Sequence, residues 1–138
     1  MADLPLRYPP RAARSRIRIA SGALDGLGAF TRDLTGATRA AVVSDTNVAA
    51  LYGARALRAL ERGRIEATLI TVPAGERSKR TVVLDRLWKH FAALDLARGD
   101  VVVALGGGVV GDLAGFAAAS WLRGIAWDRR AHLAARPG

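Results

Sequence analysis

The sequence predicts an α/β domain: a Rossmann-like parallel sheet with helices on its faces. Two observations carry this. Short apolar runs alternate with longer stretches of helical periodicity through most of the 138 residues. The most apolar run, Val101–Leu105, is unbroken, as a strand covered on both faces requires. A third observation is the triplet Gly106-Gly107-Gly108, which turns that strand straight into the next helix.

Residues 1–13 hold three of the five Pro and read as an irregular arm. Residues 14–20 alternate polar and apolar around Ile17 and Ile19, as a half-buried strand does, and Ser21-Gly22 ends it. Residues 24–34 make a short helix weakened by Gly26 and Gly28. Residues 39–44, with Val42 and Val43, form the next strand. Asp45-Thr46-Asn47 then offers several N-cap groups to an Ala/Leu/Arg helix over 48–61. Glu66–Val72 is a strand stopped by Pro73, and a polar turn over 74–79 leads into a helix over 81–94. In that helix Val83, Leu84, Leu87, Trp88, Phe91 and Leu94 fall at helical spacing and read as core. Val101–Leu105 and a helix over 109–122 complete the series, so that strand and helix alternate four times in one parallel sheet.

Composition removes several function classes. A chain of 138 residues, 51% of them hydrophobic, has room and core for one domain. No apolar run reaches the roughly eighteen residues of a membrane span, and the first residues lack the apolar segment of a secretory signal. No membrane partner and a cytoplasmic location are therefore expected. The absence of Cys excludes disulfides, thiolate metal sites and a cysteine nucleophile, and His90 and His132 alone cannot build an all-histidine metal site. His90, beside Lys89 on an amphipathic helix, reads as a boundary residue.

The net charge of +9 is concentrated at the ends. Residues 1–20 carry five Arg against one Asp, residues 128–138 three Arg against one Asp, and the 107 residues between them hold thirteen bases and ten acids. Of the 21 basic residues 19 are Arg, which with the many Ala reflects GC-rich codon usage. No basic stripe with interleaved aromatics is present, so no nucleic-acid partner is expected.

Three loops carry candidate chemistry. Gly106-x-Gly108-x-x-Gly111 satisfies the dinucleotide fingerprint after a strand and at the start of a helix. Glycines let the backbone approach a pyrophosphate, and the helix N-terminus adds free N–H groups and positive potential. The motif follows the fourth strand rather than the first, and a tight turn closing helix onto sheet remains open as the plainer reading. No Lys-Ser/Thr pair follows, which excludes a Walker loop. Asp45-Thr46-Asn47 stands where a parallel strand ends, so Asp45 reads equally as a ribose acceptor and as a helix cap. Gly75-Glu76-Arg77-Ser78-Lys79 is either a second ribose and head-group contact or a solvated helix start. Asp112 reads as a helix-dipole partner or a ligand to an amide, and Arg123 as a surface residue or a phosphate reader.

These segments together resemble the 3-dehydroquinate synthase family. The resemblance rests on Ser44-Asp45-Thr46-Asn47-Val48, on Pro73-Ala74-Gly75-Glu76-Arg77-Ser78-Lys79, on the run from Leu105 to Ala118 with its Gly111-Asp112-Leu113-Ala114-Gly115-Phe116 continuation, and on Leu122-Arg123-Gly124. It implies an NAD-binding N-terminal domain over 14–127, the N-terminal half of a synthase-like fold without its helical C-terminal domain. By the same resemblance Asp45, Asn47, Glu76 and Lys79 contact the ribose and nicotinamide, and Ala74, Gly75, Arg77 and Ser78 join Glu76 and Lys79 in a cofactor-binding segment. Gly107, Gly108, Val109, Val110 and Gly111 would bind the pyrophosphate, with Asp112 near the nicotinamide. Arg123 would reach the substrate phosphate of the neighbouring subunit in a homodimer.

The implied reaction is that of a carbon–oxygen lyase of the shikimate pathway of aromatic amino acid and chorismate biosynthesis. A heptulosonate 7-phosphate is oxidised transiently with NAD, loses phosphate by elimination, is reduced back and closes to 3-dehydroquinate. In the family a zinc or cobalt ion held by one Glu and two His polarises the reacting oxygens. No metal ligand is matched in this sequence, no catalytic residue is identified in it, and the chain alone is expected to be inactive. Other sugar-phosphate cyclases of the inosose synthase type, and a stand-alone nucleotide-binding module, are the alternatives.

Residues 128–138 depart from the family. Where the family continues with a Val-Pro-Thr-Thr-Leu-Leu-Ala-Gln-Val-Asp segment, this chain reads Asp128-Arg129-Arg130-Ala131-His132-Leu133-Ala134-Ala135-Arg136-Pro137-Gly138. Back-translated and read one base later, permitted codons for that tail spell Val-Pro-Thr-Ser-Leu-Leu-Ala-Gln-Val. A frameshift near Trp127 is the expected origin of the tail.

Overall fold

The computed structural model describes residues 2–6, 15–19, 23–74, 80–121 and 126–128, with side chains over 24–74 and 81–121. Four strands make one all-parallel sheet in the order β4-β3-β5-β6: β3 (Arg39–Asp45), β4 (Glu66–Val72), β5 (Val101–Leu105) and β6 (Ala126–Asp128). All five residues of β5 are buried, as the unbroken apolar run requires. The helices are α1 (Leu27–Thr35), α2 (Thr46–Val48), α3 (Ala54–Arg62), α4 (Arg80–Ala93) and α5 (Gly108–Ser120). A 3₁₀ turn, Ala23–Gly26, leads into α1, and a π-helical stretch, Ala49–Gly53, joins α2 to α3. No described helix is long and apolar enough to cross a membrane.

Alternation along β3 and β5 divides the core into two. Ala41, Val43, Val102 and Ala104 face α4 and α5 and pack on Val83, Leu87, Phe91, Val110, Leu113 and Ala117. Ala40, Val42, Val101, Val103 and Leu105 face the other way, onto Leu24, Leu27, Ala56, Ala59 and Leu60 of the α1–α3 layer. The helical spacing from Val83 to Phe91 is therefore core, as predicted. Trp88 is half-buried and uses its indole N–H to tie α4 to α5, donating to Ser120 Oγ at 3.1 Å.

Three expectations are corrected. The strand predicted at 14–20 forms as β2 (Ser15–Ile19), but it pairs antiparallel with β1 (Ala2–Leu6) in a separate two-stranded sheet, in the register Leu4↔Ile17. The predicted irregular arm thus contains a strand. Pro5 is compatible with it because both strands of a two-stranded ribbon are edges, where a missing N–H need not break a ladder. The fourth strand of the parallel sheet is instead the three-residue β6, which extends one residue across the boundary placed at 127/128.

The third correction concerns Gly28, read as a weakness in its helix. Gly28 is buried where α1 crosses the end of α3, and a Cβ there would fall on the Ala59 carbonyl oxygen and the Gly63 backbone. A Cβ on Gly63 would meet Gly28 in the same way. The two glycines let the helices touch backbone to backbone. Arg55 of α3 reinforces this layer with two hydrogen bonds to the Asp25 carboxylate, at 2.9 and 3.0 Å, which hold that exposed carboxyl below its usual pKa.

At the edge where the strands enter the sheet, Arg39 clasps Asp100. Arg39 Nε and Nη2 donate to Asp100 Oδ2 at 3.2 and 2.7 Å, and the Ala97 N–H donates to the same oxygen at 2.8 Å. The guanidinium also donates to the Leu94 and Asp95 carbonyls at 3.0 and 2.6 Å. One side chain thereby joins the start of β3 to the end of α4 and the approach to β5.

Two outcomes follow for stability. Gly28→Ala should lower the unfolding free energy by about 1–3 kcal/mol through overpacking, measured by urea denaturation. Gly99→Ala, where a Cβ meets nothing within 4 Å, is the control and should change it by less than about 1 kcal/mol. Asp100→Ala should cost about 2 kcal/mol in the same assay, because it removes the carboxylate from the Arg39 guanidinium and leaves the Ala97 amide without its acceptor.

Candidate functional site

The strand order places the site. From β3 the chain steps outward to β4, then returns across β3 to lay down β5 and β6 on the other side. The helix after β3 packs on one face and the helix after β5 on the other. Between β3 and β5 the direction of winding reverses, and open α/β sheets bind ligands in the crevice at such a point, outside the strands' C-terminal ends. The glycine motif follows a late strand in sequence, yet that strand is central in the sheet and adjacent to β3. Its place along the chain is no objection to a nucleotide role.

The last pair in the β3–β5 ladder is Ser44↔Leu105. Asp45 and Gly106 follow directly, so the two loops start about 5 Å apart, the spacing of neighbouring strands. Gly106 has φ 153, a conformation that only glycine adopts without strain, and a Cβ there would press on Val110 at 3.2 Å. Gly107 is the N-cap of α5, extended at φ −80 and ψ −174, and provides no side-chain cap. The amides of Gly108, Val109 and Val110 therefore open the helix without acceptors inside it. A Cβ on Gly107 or Gly108 would meet nothing within 4 Å, so both backbones face open space. Such an end offers an anion first-turn amides and the positive end of a 13-residue helix.

The predicted residues separate at this helix start. Gly107 is half-buried, and Gly108 and Val109 are exposed. Val110 sends its side chain into the core under α5, so only its amide is available to a ligand. Gly111 is buried, and its N–H is committed to the Gly107 carbonyl at 3.0 Å. Asp112 is exposed one turn into the helix.

Across the crevice, Asp45 caps α2: its Oδ1 accepts from the Val48 N–H at 2.8 Å. The cap reading of Asp45 is thus realised, and the carboxylate is held in place at the lip, half-buried. Asn47 is exposed in the first turn beside it. Ala74 is half-buried just beyond β4. Gly75, Glu76, Arg77, Ser78, Lys79 and Arg123 lie outside the described residues. His90 is exposed on α4, and among the described residues no group of three or more His, Cys, Asp or Glu stands together.

Sequence reasoning quoted Ser44 only as part of a motif and gave it no role. It is fully buried, and its Oγ donates to the Leu105 carbonyl at 2.6 Å. The available signal was a hydroxyl at the end of an otherwise apolar strand core, Ala40 to Val43.

Comparison with known proteins agrees with this geometry. Residues 69–130 match the family model for the 3-dehydroquinate synthase N-terminal region. The 3-dehydroquinate synthase of Gloeobacter violaceus is 47% identical over 109 residues, which are 79% of this chain and 30% of that protein. The corresponding enzyme of Symbiobacterium thermophilum is 48% identical over 120 residues, 86% of this chain and 32% of its own. Among solved structures, a 2-deoxy-scyllo-inosose synthase complexed with carbaglucose-6-phosphate, NAD+ and Co2+ superposes with a TM-score of 0.76 at 22% identity, over 94% of this chain and 35% of that one. That likeness speaks for the fold. The chain spans about 30% of the length of the curated relatives it matches and belongs to the 3-dehydroquinate synthase family.

Proposed function

We propose that this chain forms the nucleotide-binding part of a 3-dehydroquinate synthase, the enzyme that converts a 3-deoxy-heptulosonate 7-phosphate to 3-dehydroquinate and phosphate in a cytoplasmic biosynthetic route. The observation that carries the reading is the uncapped glycine start of α5 beside Asp45 at the β3/β5 switch point. Identities of 47 and 48% to the dehydroquinate synthases, against 22% to the inosose synthase, favour that substrate over the cyclitol alternative.

The residues present fit NAD. The open backbone at Gly107 and Gly108 admits a pyrophosphate to within hydrogen-bond reach of the first-turn amides of α5. Asp45, held by its cap bond, presents a carboxylate for ribose hydroxyls, and Asn47 offers an amide beside it. Glu76 and Lys79, within the 74–79 segment, would complete the ribose and nicotinamide contacts, and Asp112 would border the nicotinamide. When bound, NAD supplies a reversible hydride acceptor for a carbinol. The chain's own part is to hold that acceptor in one orientation against the open side of the crevice.

Val109, Asp112 and Phe116 share one exposed stripe of α5, and Phe116 is 57% exposed. In a full-length enzyme that stripe would be covered, with the zinc or cobalt ion and most substrate contacts supplied from outside these 138 residues. Arg123 would serve the substrate phosphate of a second subunit in a homodimer.

Two experiments test this. NAD titrated into the purified chain should bind weakly, with Kd on the order of millimolar, because half of the cofactor's enclosure lies outside this chain. Gly108→Asp should weaken binding at least about tenfold by setting a carboxylate before the anion, yet leave the thermal midpoint unchanged or higher, since an acid suits the first turn of a helix. Retained NAD binding by that variant would remove the pyrophosphate assignment. Supplied with NAD, the heptulosonate phosphate and Zn2+ or Co2+, the 138-residue chain should release no phosphate above background; measurable release would show a complete active site in these residues.

A further inference from the structure

We propose that Ser44 is the positioning residue of the nucleotide site: its hydroxyl sets where the glycine turn begins relative to the Asp45 loop. This rests on the nucleotide reading above. Ser44 is fully buried, and the four residues before it, Ala40, Ala41, Val42 and Val43, show that small apolar side chains suffice to build this strand. A buried hydroxyl is costly unless paired. Here it is paired at one particular point, donating to the Leu105 carbonyl at 2.6 Å.

Leu105 is the last residue of β5. Its pairing with β3 ends at Ser44, and pairing of β5 with β6 has already stopped at Val103. Past Leu105 the backbone swings away through Gly106 at φ 153. The Ser44 bond thus lies at the last pair of the ladder, directly before the turn. Each residue it joins leads directly into a ligand loop, Ser44 into Asp45 and Leu105 into Gly106. There a side-chain donor to the Leu105 carbonyl adds to the backbone pairing at its last position. Without it, the end of β5 can fray together with the turn, and the first-turn amides of α5 lose their fixed offset from the Asp45 carboxylate.

The test compares Ser44→Ala and Ser44→Thr with Val42→Ala, a buried truncation two residues earlier on the same strand, paired with Val103. Amide NMR spectra of the full chain report Gly106, Gly107, Gly108 and Gly111 without ligand, and NAD titration of the same samples gives Kd. Ser44→Ala should shift those glycine resonances in the absence of NAD and raise the Kd about tenfold. Ser44→Thr, which keeps the hydroxyl, should return both toward the parent values. Val42→Ala should lower the urea midpoint without either effect. Should Ser44→Ala not fold, Ser44→Cys takes its place with a smaller shift in the same direction. The proposal fails if the glycine resonances stay in place when the hydroxyl is removed, or if Val42→Ala moves them as far. If the parent chain does not bind NAD, the nucleotide reading falls, and the ligand-free glycine resonances alone then decide the role of Ser44.

Discussion

Everything at the crevice depends on β3 and β5 lying side by side and parallel. The two strands are joined by a side-chain bond at each end: Arg39 to Asp100 where they enter the sheet, and Ser44 to Leu105 where they leave it. Both bonds bridge 61 residues of sequence. Between them runs a ladder in which every residue from Ala40 to Ser44 has a partner from Val101 to Leu105. A parallel pair needs a crossover to bring the chain back, and the crossovers that follow β3 and β5 send their helices to opposite faces. The crevice is the space those diverging helices leave.

That geometry holds only while both faces of the sheet are covered. The α4–α5 layer is closed by large side chains, with Phe91 against Trp121 at 5.8 Å in an edge-on arrangement. The α1–α3 layer is closed differently, by the mutual approach of Gly28 and Gly63 and by the Asp25–Arg55 pair at its rim. The two ends of the sheet also have different work. The entry end spends its charged groups on one another, whereas the exit end leaves backbone amides and a capped carboxylate facing open space. The charged clasp and the glycine start of α5 thus stand at opposite ends of the same strands.

Several of these features are legible without coordinates. The unbroken Val101–Leu105 run announces a strand buried on both faces, and the glycine triplet after it announces a turn into a helix. The Gly111-Asp112-Leu113-Ala114-Gly115-Phe116 continuation points to the family that the 47% identity of a curated relative then shows. Asp45 was legible as two alternatives, cap or ligand group. The structure makes it a cap, which also fixes its carboxylate at the lip. Other features left no local trace. The alternation in residues 15–19 marks a strand but does not say which sheet receives it, and β2 went to β1. Gly28 looks like a flaw within its helix, because what makes it necessary, the Gly63 backbone, lies beyond that helix.

Local sequence settled the kind of the central strands and helices, the buried character of β5 and the glycine turn before α5, because periodicity, glycine placement and capping groups act over a few neighbouring residues. Tertiary structure alone decided that β3 and β5 are neighbours, that winding reverses between them, and that the Ser44 hydroxyl meets the Leu105 carbonyl. Those outcomes depend on strand order, and strand order is settled by which layers bury each other across the whole domain, a quantity that no local window of sequence contains.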